Sequence, residues 1–194
     1  DVADLEEVIA GSEAAHLPEP TLHGTLTDVR GIRTTDRTAV LAAFEVPLDA
    51  ESLLDGLGPH PVLAVDTAPI IYWLEDHPRL ADRFAPVFEA AESGEAQIVI
   101  SSVTVAEVLA GPLRSGNELL AAQYREALTR SAGWHVLPLD TDTAVEAARI
   151  RAAYRLRLPD AIQVATSIRA GATALVTHDR ALRRVPGLRV TGPE

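Results

Sequence analysis

Residues 61–194 predict an α/β domain, a parallel sheet with helices packed on it, and three observations carry that expectation. Short apolar runs rich in β-branched residues, VLAVD (62–66), QIVIS (97–101), WHVLPL (134–139) and ALVT (174–177), read as buried strands. Segments with helical spacing of apolar residues separate them, the alternation that closes into a parallel sheet flanked by helices. With 194 residues and 47% hydrophobic content, the chain can build one well-packed domain plus a smaller appendage. In such sheets functional groups gather at the carboxyl ends of the strands.

Taken in order, LDGLGPHP (Leu54–Pro61) clusters glycine and proline as a linker or turn does. Pro69 suits the first turn of a helix, PIIYWLEDH, that follows the first strand. Arg79–Ser93 is a second helix, with Leu80, Phe84, Val87 and Phe88 at helical spacing. VTVAEVLAG starts a helix after the second strand, and Gly111-Pro112 is expected to end it. Asn117 is an N-cap for ELLAAQYREALTR. Thr141 or Asp142 caps a helix to about Arg155, and Pro159 opens another through Arg169 with Gly171 as C-cap. A short helix carries DRALRRV, and LRV (Leu188–Val190) is a fifth strand. Residues 1–60 are an acidic extension of mixed or β-rich character. Their pattern predicts a short helix at Asp1–Ala10, a loop at His16–Pro20, two or three strands within Thr21–Val46 and a short helix at Asp49–Leu57.

Composition removes several chemistries. Cysteine is absent, which excludes disulfides, zinc–thiolate sites and cysteine nucleophiles. All 17 basic residues are arginine, so a Walker-type phosphate loop and Schiff-base catalysis, which need lysine, are excluded as well. No apolar run approaches the roughly 18 residues that span a bilayer, and the acidic start does not read as a signal peptide, so the expected location is the cytoplasm. Net charge is uneven. Residues 1–61 hold 12 acids against 3 arginines, a balance of −9, and residues 62–194 hold 16 against 14, a balance of −2, together the −11 of the chain. Nucleic-acid binders are usually basic. The charge therefore counts against such a role for the leader and far less for the rest.

Four acids fall where strand ends meet helix starts: Asp66, Glu107, Asp160 and Asp179. Carboxylates from separate segments can hold one or two hard divalent cations. Two such ions would stabilise the attacking and leaving oxygens of a phosphodiester displacement, with no nucleophilic side chain required. Each acid alone also has a structural role. Asp160 after Pro159 complements a helix dipole, Asp179 can cap the last helix, and Glu107 can face solvent. Asp66, among apolar neighbours, is the hardest to explain that way.

VDTAPIIYWLE, SSVTVAEVL and RLPDAIQVATSIRAGATALVTHDRAL resemble, in order, the motifs of PIN domains, above all the VapC-type toxins. The likeness spans about 130 residues and is most specific in LPDAIQVATSI followed by LVTHD. It implies a Rossmann-like sheet and an endoribonuclease dependent on Mg²⁺ or Mn²⁺. Asp66 and Asp160 would be the main metal ligands, Glu107 and Asp179 would complete the acidic pocket, and Thr177 would support it through its hydroxyl. It further implies a homodimer and a cognate antitoxin that blocks the site. The chain departs from the pattern at Ala68, where a small polar residue is common, and at His178, where asparagine is frequent. These departures are the warrant for the alternative, a PIN-like module that binds RNA or protein without cutting. A haloacid-dehalogenase-type phosphatase is the other rival, but its second aspartate is missing at Ala68 and its lysine is absent.

Arg149, Arg151, Arg155 and Arg157 precede the LPD motif and are candidates for RNA backbone contacts; a solvated helix face is the alternative. His178 is a candidate phosphate contact. Trp73 and Trp134 are expected as core or interface anchors. For residues 1–60 three readings stand side by side: a packing extension, a cis-acting inhibitor over the site, or a fused antitoxin.

Overall fold

The computed structural model describes residues 53–193. Their strands form one parallel five-stranded sheet in the order β3-β2-β1-β4-β5. The strands are β1 (Val62–Val65), β2 (Gln97–Ser101), β3 (Trp134–Leu137), β4 (Ala174–Val176) and β5 (Val190–Thr191). The helices are α1 (Thr67–Leu74), α2 (Ala81–Glu92), α3 (Ser102–Arg114), α4 (Glu118–Arg130), α5 (Thr141–Tyr154) and α6 (Leu158–Arg169), followed by a 3₁₀ turn over Arg180–Arg184.

Side-chain alternation along the strands sorts the helices into two layers. Leu63, Val65, Ile98, Ile100, Ala174 and Val176 face α1 to α4, where Ile70, Phe84, Phe88 and Leu128 complete the larger core. Ala64 and Leu175 face the other way, onto Ala147, Ile150, Ala161, Ile162 and Ala165 of α5 and α6. Runs without polar interruption are what strands buried on both faces require. On the first face Trp73, Phe88 and Trp134 stack in a row, with centroids 4.3 Å and 5.9 Å apart. Both tryptophans are therefore core residues.

The topology decides where a site can form. The chain runs outward from β1 through β2 to β3, then returns across the sheet to β4 on the opposite side of β1. Strand order thus reverses between β1 and β4, and the crevice outside their carboxyl ends is the switch point at which open α/β sheets bind ligands.

Some sequence expectations are corrected. α3 continues through Pro112 to Arg114 instead of ending at Gly111-Pro112. A proline in the last turn forfeits a single helical hydrogen bond, and this one is buried against the core side. The cap of α5 is Asp140, whose carboxylate accepts from the Thr143 amide at 2.8 Å, in place of Thr141 or Asp142. Asn117 caps α4 as expected, accepting from Leu120 N at 3.1 Å. Of the helix expected over Asp49–Leu57, the described part is a turn at 53–56. It is pinned to β5 by Arg189, which donates to the Gly56 and Asp55 carbonyls at 2.7 and 2.6 Å. The elements expected before Leu53 lie outside the described residues.

Phe88 is fully enclosed between the two tryptophans. Phe88→Ala is expected to cost about 3–5 kcal/mol of unfolding free energy. Urea denaturation followed by tryptophan fluorescence measures it, and a loss near zero would contradict this packing.

Candidate active site

Asp66 leaves the end of β1 and caps α1. Its Oδ1 accepts from the Thr67 amide at 2.7 Å, and its backbone N–H bonds the Val176 carbonyl at 3.0 Å, tying it to β4. Oδ2 accepts from the Thr177 hydroxyl at 2.7 Å. Thr177 is buried, and the same hydroxyl oxygen accepts from the Asp179 amide at 3.0 Å. One threonine thus fixes an aspartate on β1 and the backbone of the segment that carries Asp179. Asp179 in turn caps the 3₁₀ turn, accepting from Ala181 N at 2.7 Å.

Glu107, on the second turn of α3, accepts a short hydrogen bond from the Thr67 hydroxyl. Behind it lies the buried amide of Gln163 on α6, which donates to Thr104 Oγ1 at 2.6 Å and to Thr67 Oγ1 at 3.4 Å. Because Thr67 accepts from Gln163, its own proton is committed to Glu107. The relay Gln163–Thr67–Glu107 joins α6, α1 and α3, and sequence reasoning missed both supporting residues. Ala68 brings no polar group here; the hydroxyl is supplied one position earlier, by Thr67. Gln163 left no signal in the sequence; its burial within Ala161–Ser167, seven successive buried residues of α6, emerges only from the tertiary structure.

The four acids act on one another in series. Burial pushes the Asp66 carboxyl above the usual aspartate range, against the pull of its bonds from Thr177 and Thr67, and the nearby charges of Asp160 and Glu107 push it further. Burial also raises Asp160, reinforced by Asp179 and opposed by Arg157. Asp66 thus lies within electrostatic reach of Asp160 and Glu107, and Asp160 within reach of Asp179. Among the described residues no three acidic or histidine side chains converge on one point as a ready-made cage. The donors nonetheless suit a hard divalent cation: all are oxygens, and the burial and like charge that bear on Asp66 and Asp160 are what such a charge would relieve.

The arginines divide. Arg157, at the N-cap of α6, is close enough to favour the ionised form of Asp160. Arg149 pairs with Glu146 of its own helix at 3.2 Å, an exposed pair of little energetic weight. Arg155 ends α5 in a left-handed conformation (φ 55°), and Arg151 is exposed on the last turn of α5. His178 is exposed, its Nδ1 3.5 Å from the Tyr72 hydroxyl.

Raised carboxylate values set a sign for stability. A folded form that disfavours the charged carboxyl bears that cost fully above the raised value and loses it as pH falls below the unfolded value of about 3.9. In chelator, Asp160→Asn is expected to raise the thermal midpoint at pH 7 by roughly 1–3 °C, with the gain shrinking toward pH 4. Calorimetry across that range checks it; a midpoint lowered at pH 7, or a gain independent of pH, would refute the electrostatic account.

With this geometry in hand, comparison with known proteins gives a consistent result. The sequence model of the PIN domain matches residues 63–188. No curated protein matches the chain. Among solved structures, the chain is similar to DNA-bound VapBC from Salmonella typhimurium, at 23% identity and a TM-score of 0.54 over 68% of this chain and 98% of that one. It is similar also to VapBC2 from Rickettsia felis bound to a promoter DNA fragment, at 18% identity and a TM-score of 0.55 over 68% and 98%. A third is VapC20 of Mycobacterium tuberculosis, a toxin that cleaves the sarcin-ricin loop, at 13% identity and a TM-score of 0.55 over 66% and 98%. At such identities the likeness is one of fold.

Proposed function

Since this chain belongs to the PIN domain family, whose members are generally nucleases that use divalent metals, we propose that it is a metal-dependent endoribonuclease, the toxin of a toxin–antitoxin pair acting in the cytoplasm. The observation that carries this reading is the pair of acids fixed at the switch point, Asp66 held on both oxygens and Glu107 held through Thr67. VapC20, similar in fold, is a toxin that cleaves the sarcin-ricin loop, and the VapBC neighbours are toxin–antitoxin complexes.

In this reading Asp66 and Asp160 hold Mg²⁺ or Mn²⁺, with Glu107 and Asp179 completing the pocket. Once bound, the ion supplies Lewis-acid stabilisation of the charge that builds on the phosphate during hydrolysis. The chain's own groups supply the positioning. Thr177 and the Thr67 amide fix the rotamer of Asp66, while Gln163 and Thr67 aim Glu107 inward, so little reorganisation accompanies substrate binding. Arg157 offers a fixed positive charge to the RNA backbone beside Asp160, and Arg149, Arg151 and Arg155 extend that charge along the surface.

Two partner readings accompany it. Leu113 and Leu119 are 45% and 70% exposed, flanking the turn between α3 and α4, which suits a second copy of the chain or an antitoxin. The acidic leader joins the domain at Leu53, whose carbonyl accepts from Thr191 at the carboxyl end of β5. Thr191 in turn accepts from the Thr177 amide at 2.9 Å, so the leader attaches on the rim of the proposed site. A leader that extends from this point over the crevice would compete with RNA, which is the cis-inhibitory reading.

Cleavage of single-stranded RNA is expected in Mg²⁺ or Mn²⁺, lost in chelator, and reduced at least about a hundredfold in Asp66→Asn. Gel analysis of labelled RNA measures it; no cleavage by a folded protein would favour the non-cleaving alternative, and cleavage unaffected by chelator would overturn the metal-dependent reading. Removal of residues 1–52, leaving the buried Leu57 in place, is expected to raise the cleavage rate several-fold. Unchanged activity in a folded truncation would sink the cis-inhibitory leader.

A further inference from the structure

Beside the carboxylates stands a group of rings that the metal chemistry does not use. Tyr72 of α1 lies over the fully buried Phe84, with centroids 6.2 Å apart and planes at 30°. Two imidazoles meet it edge-on: His77 at 5.0 Å and His178 at 5.8 Å. The Tyr72 hydroxyl and His178 Nδ1 approach at 3.5 Å, the outer limit of a hydrogen bond. Tyr72 and His77 are half-buried and His178 is exposed, so the inner side of the group is sealed by Phe84 and the outer side meets solvent.

The backbone is bent to build this group. After α1, Asp76 adopts a left-handed conformation (φ 51°), uncommon for a residue other than glycine. The chain then folds back so that the His77 amide bonds the Tyr72 carbonyl at 2.8 Å. His178 lies between Thr177, which grips Asp66, and Asp179, so the rings and the acidic site share one segment of chain.

We propose that Tyr72, His77 and His178 form a nucleobase platform, on which an unpaired base adjoining the phosphate at the carboxylates stacks. Aromatic faces take up splayed bases in single-stranded RNA with little regard to sequence, and imidazole and phenol edges can meet base-edge donors and acceptors. Every exposed ring here carries a nitrogen or hydroxyl, which suits a base better than the apolar side chains of a partner helix. The bracing from Phe84 and the two imidazoles means that Tyr72 need not be ordered on binding. The inference rests on the nuclease reading for the phosphate's position only.

The test couples deletion of a base to deletion of a ring. The full chain is titrated with single-stranded RNA carrying an abasic nucleotide at successive positions, with calcium present to compensate the carboxylates. In the wild type one position is expected to weaken binding about tenfold when abasic, equivalent to about 1.4 kcal/mol. In His178→Ala the same abasic change should matter less than about twofold, and His178→Phe should restore the sensitivity, since a ring and not a proton is required. Tyr72→Phe should behave as wild type, and Tyr72→Leu as His178→Ala, with thermal midpoints confirming the fold. Equal abasic sensitivity in wild type and His178→Ala, rescue by His178→Gln and not by His178→Phe, or no RNA binding at all would overturn the platform. Cleavage in Mn²⁺ is followed in parallel. Cleavage without coupling leaves the nuclease reading and removes the platform; coupling without cleavage does the reverse.

Discussion

The bond from Thr177 to Asp66 is where the fold and the site become one structure. It crosses between β4 and β1, strands adjacent in the sheet but separated by β2, β3 and six helices along the chain. Parallel pairing of Val65 with Val176 brings their following residues side by side at the carboxyl edge. Asp66 and Thr177 are the residues that emerge there. Everything that approaches Asp66 afterwards, Asp160 from the start of α6 and Glu107 from α3, depends on that register. A shift of one residue would turn the strand's side chains to opposite faces and dissolve both the core and the site.

The site also works against electrostatics. Burial and like charge both oppose ionisation of Asp66 and Asp160, and the hydrogen bonds to Asp66 only partly offset them. A fold selected for stability alone has no reason to line up four carboxylates; a cation converts the same arrangement into an attractive one. The buried relay from Gln163 points the same way. It orders Glu107, a half-buried acid that would otherwise have rotamer freedom, and does so with groups drawn from three helices. Pre-positioning of this kind is what charge stabilisation in a transition state requires.

Much of the architecture could be read from the chain because strand signals here are local. VLAVD, QIVIS and ALVT are continuous apolar runs, and buried parallel strands demand just that. The four acids were legible as a set because three stand at a strand end or helix start and Glu107 lies about one turn into the helix that follows β2. What escaped detection was long-range. Thr67 and Gln163 meet across 96 positions, and neither residue type announces a partner. Pro112 misled for a different reason: the rule that proline ends helices weakens in a final turn, and the burial that retains it there is tertiary. The pairing of Tyr72 with His178 across 106 positions was equally invisible, since a tyrosine on an apolar helix face reads as core.

The central claim is that the carboxylates at the β1–β4 switch point form a divalent-metal site. A crystal structure of the full chain grown with manganese, using the ion's anomalous signal, tests it most directly. The account predicts one or two peaks bounded by Asp66 and Asp160 oxygens, with the Thr177–Asp66 and Thr67–Glu107 bonds intact. Manganese absent from that crevice while the four side chains remain in place would contradict it.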